Sequence, residues 1–153
     1  MHLTHKISGG DFTKAGTVAS SVKKALRQLN IDPAIAKRVV IAVYECEVNV
    51  VAHAWSGTAD IEIDDEKVVV RISDSGPGIE DIGKAMEEGF STASEHVREM
   101  GFGAGMGLSN IKKNSDNMQI TSTPGKGTTV ELITFIRQNK KNLVKTSAEY
   151  ENN

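Results

Sequence analysis

Residues 73–110 read SDSGPGIEDIGKAMEEGFSTASEHVREMGFGAGMGLSN, from Ser73 to Asn110, and hold most of the chain's fourteen glycines. The glycines come mainly in two bursts. Asp74-Ser75-Gly76-Pro77-Gly78 follows the β-rich run Val68 to Ser73. Gly101-Phe102-Gly103-Ala104-Gly105-Met106-Gly107 precedes a helix-like run. Glycine adopts φ > 0 freely and lets backbone approach a ligand closely. A glycine-rich turn that opens a helix points free N–H groups outward, which suits a phosphate. Taken singly, each burst also reads as an ordinary loop. Taken together, they suggest a nucleotide held between them.

The surrounding composition bounds the answer. A chain of 153 residues fits one domain with a sizeable core. Its apolar fraction of 39% and charged fraction of 25% are ordinary for a globular protein. A formal net charge of −2 gives no electrostatic case for nucleic acid or a membrane surface. Cys46 is the single cysteine, so there is no intrachain disulfide and no metal-ligand cluster built on thiolates. There is no apolar signal segment and no run long enough to span a bilayer, so the expected location is cytoplasmic. No internal repeat is evident.

Outward from the glycine bursts, the elements follow from periodicity. His2 to Ser8 alternates weakly and predicts an edge strand, followed by a turn at Gly9-Gly10-Asp11. Val18, Val22, Leu26 and Leu29 recur at helical spacing, predicting a helix from Asp11 or Thr13 to Asn30. Asp32-Pro33 is a strong helix start, with Asp as N-cap and Pro in the first turn. That helix is predicted to run to about Trp55. At about 100° per residue, Ala36, Val39, Val43, Cys46, Val50 and Ala54 share its core face. Glu45, Asn49 and His53 form a separate polar stripe, which is costly unless it faces water or a site.

Thr58 to Asp64 and Lys67 to Ser73 both alternate and predict a hairpin around Asp64-Asp65-Glu66. A short helix is expected over Ile82 to Glu88, and a mobile flap over Gly89 to Met100. Leu108 opens a helix that ends near Ser115 to Asn117. Met118 to Thr123 and Thr128 to Arg137 are strands around the turn Pro124-Gly125-Lys126-Gly127. Beyond Asn139 the chain is polar and reads as a frayed tail. The expected domain is thus 1–138, with a tail over 139–153. The element order predicts an α+β fold, a two-layer α/β sandwich whose mostly antiparallel mixed sheet carries helices on one face. The βαβ alternation of a Rossmann fold is missing, and Gly103 to Gly107 does not fit its G-x-G-x-x-G fingerprint. No G-x-x-x-x-G-K-[ST] is present.

Four motifs occur in a fixed order. Glu45-x-x-x-Asn49-x-x-x-His53 lies on a helix, and Asp74-x-Gly76-x-Gly78-Ile79 follows a strand. Gly103-x-Gly105-x-Gly107-Leu108 precedes a helix, and Gly127-Thr128 opens a strand. This combination resembles the ATP-binding domain shared by DNA gyrase, heat-shock chaperones, sensor histidine kinases and mismatch-repair ATPases, the GHKL superfamily. The resemblance covers roughly residues 33 to 135 and implies the Bergerat-type fold, with ATP and Mg²⁺ as cofactors. Within the superfamily, AMEEGFSTAS and GFGAGMGLSNIKK look most like the small bacterial serine kinases of partner-switching systems, the anti-sigma-factor and stressosome switch kinases. A histidine kinase is disfavoured, because the chain has no helical hairpin context for His2, His5 or His96.

The resemblance implies roles, and chemistry supports them. Asp74 would accept a hydrogen bond from the adenine amino group, since a carboxylate is an acceptor only. Gly76 and Gly78 would admit the base, and Ile79 would pack on it. Asn49 would hold Mg²⁺ through its side-chain oxygen, with phosphate oxygens and water completing the shell. Gly103, Gly105, Met106 and Gly107 would wrap the phosphates, with Gly101, Ala104 and Leu108 in the same cradle. Thr128 would donate its hydroxyl to a phosphate oxygen. Phe90, Ser91 and Thr92 would lie in the lid. Glu45 would be the general base, one turn before Asn49. His53 would hydrogen-bond near the phosphates or orient Asn49. Glu47, about 160° from Asn49 on the wheel, departs from the family pattern, which has a small or apolar residue there; a cap or a pairing at the sheet is the available expectation. Cys46 reads as a buried apolar residue.

Two functions follow from the resemblance. One is an ATP-dependent protein serine/threonine kinase acting on a STAS-type (anti-anti-sigma) partner. The other is an ATP-gated module that binds a regulator, such as a sigma factor or a phosphatase, without productive transfer. Relatives of the anti-sigma type can also pair, which leaves a homodimer open.

Overall fold

The computed structural model describes residues 1–87 and 107–136. Five strands form one sheet in the order β1-β2-β3-β5-β4, with β1 His2–Ser8, β2 Ser56–Ile63, β3 Lys67–Ser75, β4 Asn117–Thr123 and β5 Gly127–Phe135. All four pairings are antiparallel. The mixed component of the expected sheet is therefore absent among the described residues. β3 and β4 do run in the same direction, as a helical crossover between them requires. They are not neighbours, because β5 inserts between them and pairs with both.

One row of side chains shows why this register holds. Leu3, Ile61, Val70, Leu132 and Met118 stand opposite one another across all five strands. A one-residue slip of any strand would turn its apolar set to the other face. Ala59, Ile72 and Val130 form a second row and are all buried.

Helices α1 (Thr17–Gln28) and α2 (Pro33–His53), with the short α3 (Ile82–Ala85) and α4 (Gly107–Lys113), complete the described elements. α2 packs on the sheet and on both α1 and α4. Val39, Val43, Cys46 and Val50 of α2 are buried against Ile61, Val70, Ile72 and Leu132 in one core. Each such fully buried side chain contributes about 1.5–3 kcal/mol relative to exposure. Ala42, Val48 and Val51 are buried as well. α2's buried surface is thus wider than the single face read from the wheel, because α1 and α4 cover its flanks. As expected, Asp32 caps α2, accepting from Ala34 N–H at 2.8 Å.

Several boundaries differ from expectation for identifiable reasons. α1 starts at Thr17, after a 3-10 turn over Phe12–Lys14, because Gly16 at φ +98° breaks the helical path. α2 stops at His53 rather than Trp55, since Trp55 N–H is taken by the Ser75 carbonyl. β2 and β3 extend to Ser56 and Ser75, and so Asp74 sits inside the sheet opposite Gly57 rather than in a loop. α3 is a single turn capped by Asp81, which accepts from Lys84 N–H. β5 opens one residue earlier, at Gly127. The hairpin turn is an Asx turn, with Asp64 Oδ1 accepting from Glu66 and Lys67 N–H at 2.8 Å each. The expected flap over 89–100 and tail over 139–153 lie outside the described residues.

Candidate nucleotide site

The site has two ends. The first is where β3, the following loop and the β4–β5 turn meet. Asp74 Oδ1 accepts from Thr128 N–H at 3.1 Å. Burial pushes the Asp74 carboxyl above its usual range, and the Thr128 N–H opposes the shift by stabilising the anion. Ile79 N–H donates to Ser122 Oγ at 2.7 Å, and Ser122 Oγ lies 2.9 Å from Thr128 Oγ1. Gly125 N–H donates to the Pro77 carbonyl at 2.7 Å. The loop bearing Gly76, Gly78 and Ile79 is therefore strapped to the β4–β5 turn.

Glycine is obligatory here for space. A Cβ on Gly78, at φ +76°, would come within 2.5 Å of the Thr123 carbonyl oxygen. A Cβ on Gly127, at φ +147°, would overlap the Asp74 carbonyl. Gly76 is closed against Ala54 in the same way. Thr128, expected at a phosphate, lies beside Asp74, with its hydroxyl shared with Ser122. Gly127's close approach to the Asp74 carbonyl draws the first residues of β5 to this end.

The second end lies between α2 and α4. Glu45, Asn49 and His53 are half-buried at i, i+4 and i+8 along α2, as the stripe predicts. Gly107, the first residue of α4, lies against Asn49, and a Cβ there would be 3.0 Å from Asn49 Oδ1 and 3.2 Å from Nδ2. Burial raises the Glu45 carboxyl above its usual range, and the Asn110 side chain of α4, one turn on from Gly107, opposes that shift. Burial lowers the His53 imidazole, keeping it neutral over a wider pH range. Leu108 packs on the core from α4. Phe90, Ser91, Thr92, Gly101, Gly103, Ala104, Gly105 and Met106 lie outside the described residues.

Sequence reasoning missed Ser122 and Asn110 and left Glu47 with two alternatives. Ser122 gives no signal beyond a serine in a strand. Asn110 closes the quoted stretch but belongs to no glycine motif. Glu47 is the clearest case: it is 2% exposed, and its two carboxylate oxygens accept from Val18 N–H at 3.0 Å and Ala19 N–H at 3.1 Å. Gly16 at the α1 N-cap offers no side chain, so Glu47 of α2 caps α1 from outside it. Of the two expectations for Glu47, the cap holds, and it caps a helix rather than anything at the sheet. Cys46 is buried and its thiol is pushed far up by burial, which suits a packing residue and not a nucleophile.

Residues 34–138 match the family described as histidine kinase-, DNA gyrase B- and HSP90-like ATPases. The chain belongs to this ATPase family. It is 36% identical over 117 residues to an anti-sigma F factor of Caldanaerobacter subterraneus subsp. tengcongensis, covering 72% of this chain and 78% of that one. It is 34% identical over 131 residues to the serine/threonine-protein kinase RsbT of Bacillus subtilis, covering 83% and 90%. Among solved structures, the RsbU and RsbW domains of a Mycobacterium tuberculosis protein align with a TM-score of 0.60 at 17% identity, over 88% of this chain and 31% of that one. The SiaB–SiaC complex of Pseudomonas aeruginosa aligns with a TM-score of 0.57 at 13% identity, over 86% and 88%.

Membership of the ATPase family makes ATP the nucleotide of the site, and the described residues fit it. The Asp74 end offers an acceptor-only carboxylate beside glycines packed too tightly for any side chain. The α2–α4 end offers the neutral hard oxygen Asn49 Oδ1, beside Gly107. Among the described residues no group of three or more His, Cys, Asp or Glu could hold a metal by itself. Nor is any described helix long and apolar enough to cross a membrane.

Proposed function

We propose that this chain is an ATP-dependent protein serine/threonine kinase of a bacterial partner-switching system, and that its substrate is a Ser or Thr hydroxyl on a STAS-type partner. The observation that carries this reading is the half-buried Glu45, one turn before Asn49 and facing the start of α4. A module that only binds nucleotide has no need of a desolvated carboxylate there. Similarity to a serine/threonine-protein kinase over most of both chains supports the same class.

In this reading Asp74 fixes the adenine amino group, and Ile79 packs on the ring. Asn49 Oδ1 would hold Mg²⁺, whose shell phosphate oxygens and water complete. Mg²⁺ would neutralise charge on the transferring phosphoryl group. Glu45 accepts the proton of the partner's hydroxyl as its oxygen bonds to the γ-phosphorus. Burial that raises the carboxyl's affinity for a proton makes it a stronger proton acceptor. His53, held neutral, orients Asn49 without adding charge. The Gly103 to Gly107 segment supplies the phosphate cradle, and residues 90–92 the lid.

The similarity to an anti-sigma F factor favours a second reading, binding of a sigma factor gated by ATP, with transfer absent. Incubation with γ-labelled Mg-ATP and candidate STAS proteins separates the two. The kinase reading expects label on a partner Ser or Thr, retained ATP binding in Glu45→Ala with transfer lost, and weakened Mg-ATP binding in Asn49→Ala. ATP-dependent capture of a partner that never gains phosphate would establish the second reading instead.

A further inference from the structure

We propose that the free edge of β4, with the groove beside it, takes up an extended aliphatic and acidic segment of a partner protein as an added strand. The proposal stands whether or not phosphate is transferred. β4 pairs with β5 alone, so alternate N–H and C=O groups along its other edge have no strand partner among the described residues. Proteins blunt such edges with charge, proline or a bulge, because a bare edge is a template for another strand. β1, at the opposite edge of the sheet, carries Lys6. β4 reads NMQITST, with no charged residue and no proline, and all seven of its residues are in register with β5.

The groove supplies what a bare edge lacks, a basis for choosing one segment over another. Helical cover thins over β4. In the row that crosses the sheet, Ile61, Val70 and Leu132 are buried, while Met118 of β4 is only half-buried. Ile120 is half-buried beside the buried Val130 in the same way. α3 is a single turn and α4 ends at Lys113, and an open groove of about 410 Å³ remains between them and β4. Ile82, Met86, Met118 and Ile120 give it an apolar lining. Residues i and i+2 of an added strand fall on the same face, so aliphatic side chains at alternate positions would enter this groove.

Charge sets the rest of the segment's chemistry. The groove's two charged residues are Asp116 and Lys112. Asp116 is already answered: Oδ1 accepts from Arg38 Nη1 at 3.1 Å and Oδ2 from Phe135 N–H at 2.7 Å. The Lys112 side chain is exposed and has no ion-pair partner among the described residues. The open charge is therefore positive, and it calls for a carboxylate in line with the aliphatic side chains. A second copy of this chain, pairing β4 with β4, would bring no acidic residue to Lys112 from that strand. The occupant that fits is a segment of another protein.

The test uses the ¹⁵N-labelled full chain and two blocked peptides, Val-Thr-Val-Thr-Val-Thr-Glu-Thr and the same residues in reverse order, which cover both strand directions. NMR titration gives affinity, and hydrogen exchange reads the β4 amides. We expect one peptide to bind and to slow exchange at alternate β4 amides at least about 10-fold. N-methylation of the peptide on the edge that faces β4 should abolish binding, and methylation on the other edge should not. Lys112→Glu should weaken binding about 10-fold and leave ATP affinity unchanged. Met86→Gln should weaken it as well. Failure of both peptides to bind at millimolar concentration, equal tolerance of the two methylation patterns, or full affinity in Lys112→Glu would overturn the proposal. So would β4 amides already protected along the whole strand in the free chain, which would show the edge filled by the chain itself or by a second copy.

Discussion

The two ends of the site are built on different principles. The Asp74 end is closed by backbone: Gly76, Gly78 and Gly127 press main chain against main chain, and the Thr128, Ser122 and Ile79 hydrogen bonds lock the result. The Glu45 end is closed by side chains reaching between two helices, with Asn49 against Gly107 and Glu45 against Asn110. The Asp74 end is held by strand and turn backbone. The Glu45 end spans α2 and α4 and holds its geometry only as well as α4 packs on α2.

The sharpest way to break this contrast is Gly127→Ala. Its Cβ has no space beside the Asp74 carbonyl and φ +147° is unfavourable to any side chain, so we expect a loss of about 3 kcal/mol in urea unfolding. A loss below about 1 kcal/mol would mean that the Asp74 end yields, and the contrast would fail. Asp74→Asn comes next. The Asn oxygen can still accept from Thr128 N–H, but the amide presents a donor where the adenine amino group needs an acceptor. Calorimetry should show ATP affinity reduced about 10- to 100-fold, the equivalent of one mispaired buried polar group, with little change in unfolding.

The smallest effect concerns pH. Burial raises the Glu45 carboxyl in the folded chain above its unfolded value. The folded state then holds that proton to higher pH, so ionising Glu45 weakens the fold as pH rises through its raised range. Glu45→Gln should therefore raise Tm slightly at pH 7, and the gain should vanish below the usual carboxylate range. A lower Tm at pH 7 would show that the carboxylate is stabilised where it stands, and would place both ends in the same structural class.

What the sequence showed and hid follows the same division. Patterns local in the chain were legible: the Asp32-Pro33 start of α2, the alternation of β2 and β3, and the stripe of Glu45, Asn49 and His53. Residues whose role depends on a distant element were not. The start of α1 has no local cap signal because its cap is Glu47, 28 and 29 residues from the donors it serves. The neighbourhood of Thr128 with Asp74, 54 residues earlier, comes only from the sheet.

Glu45-Cys46-Glu47 places two carboxylates on opposite sides of one helix, and they divide the labour. Glu47 grips α1 through two backbone N–H groups and so fixes the roll of α2 about its own axis. At the ~5–6 Å radius of a helix with its side chains, a roll of about 10° would swing the opposite side by about 1 Å. Misplacement of that size can cost about 100-fold in rate. The buried glutamate thus acts as an azimuthal stop for α2, and in the kinase reading proposed above it holds Glu45, two residues away, at the angle from which that carboxylate would reach the partner's hydroxyl.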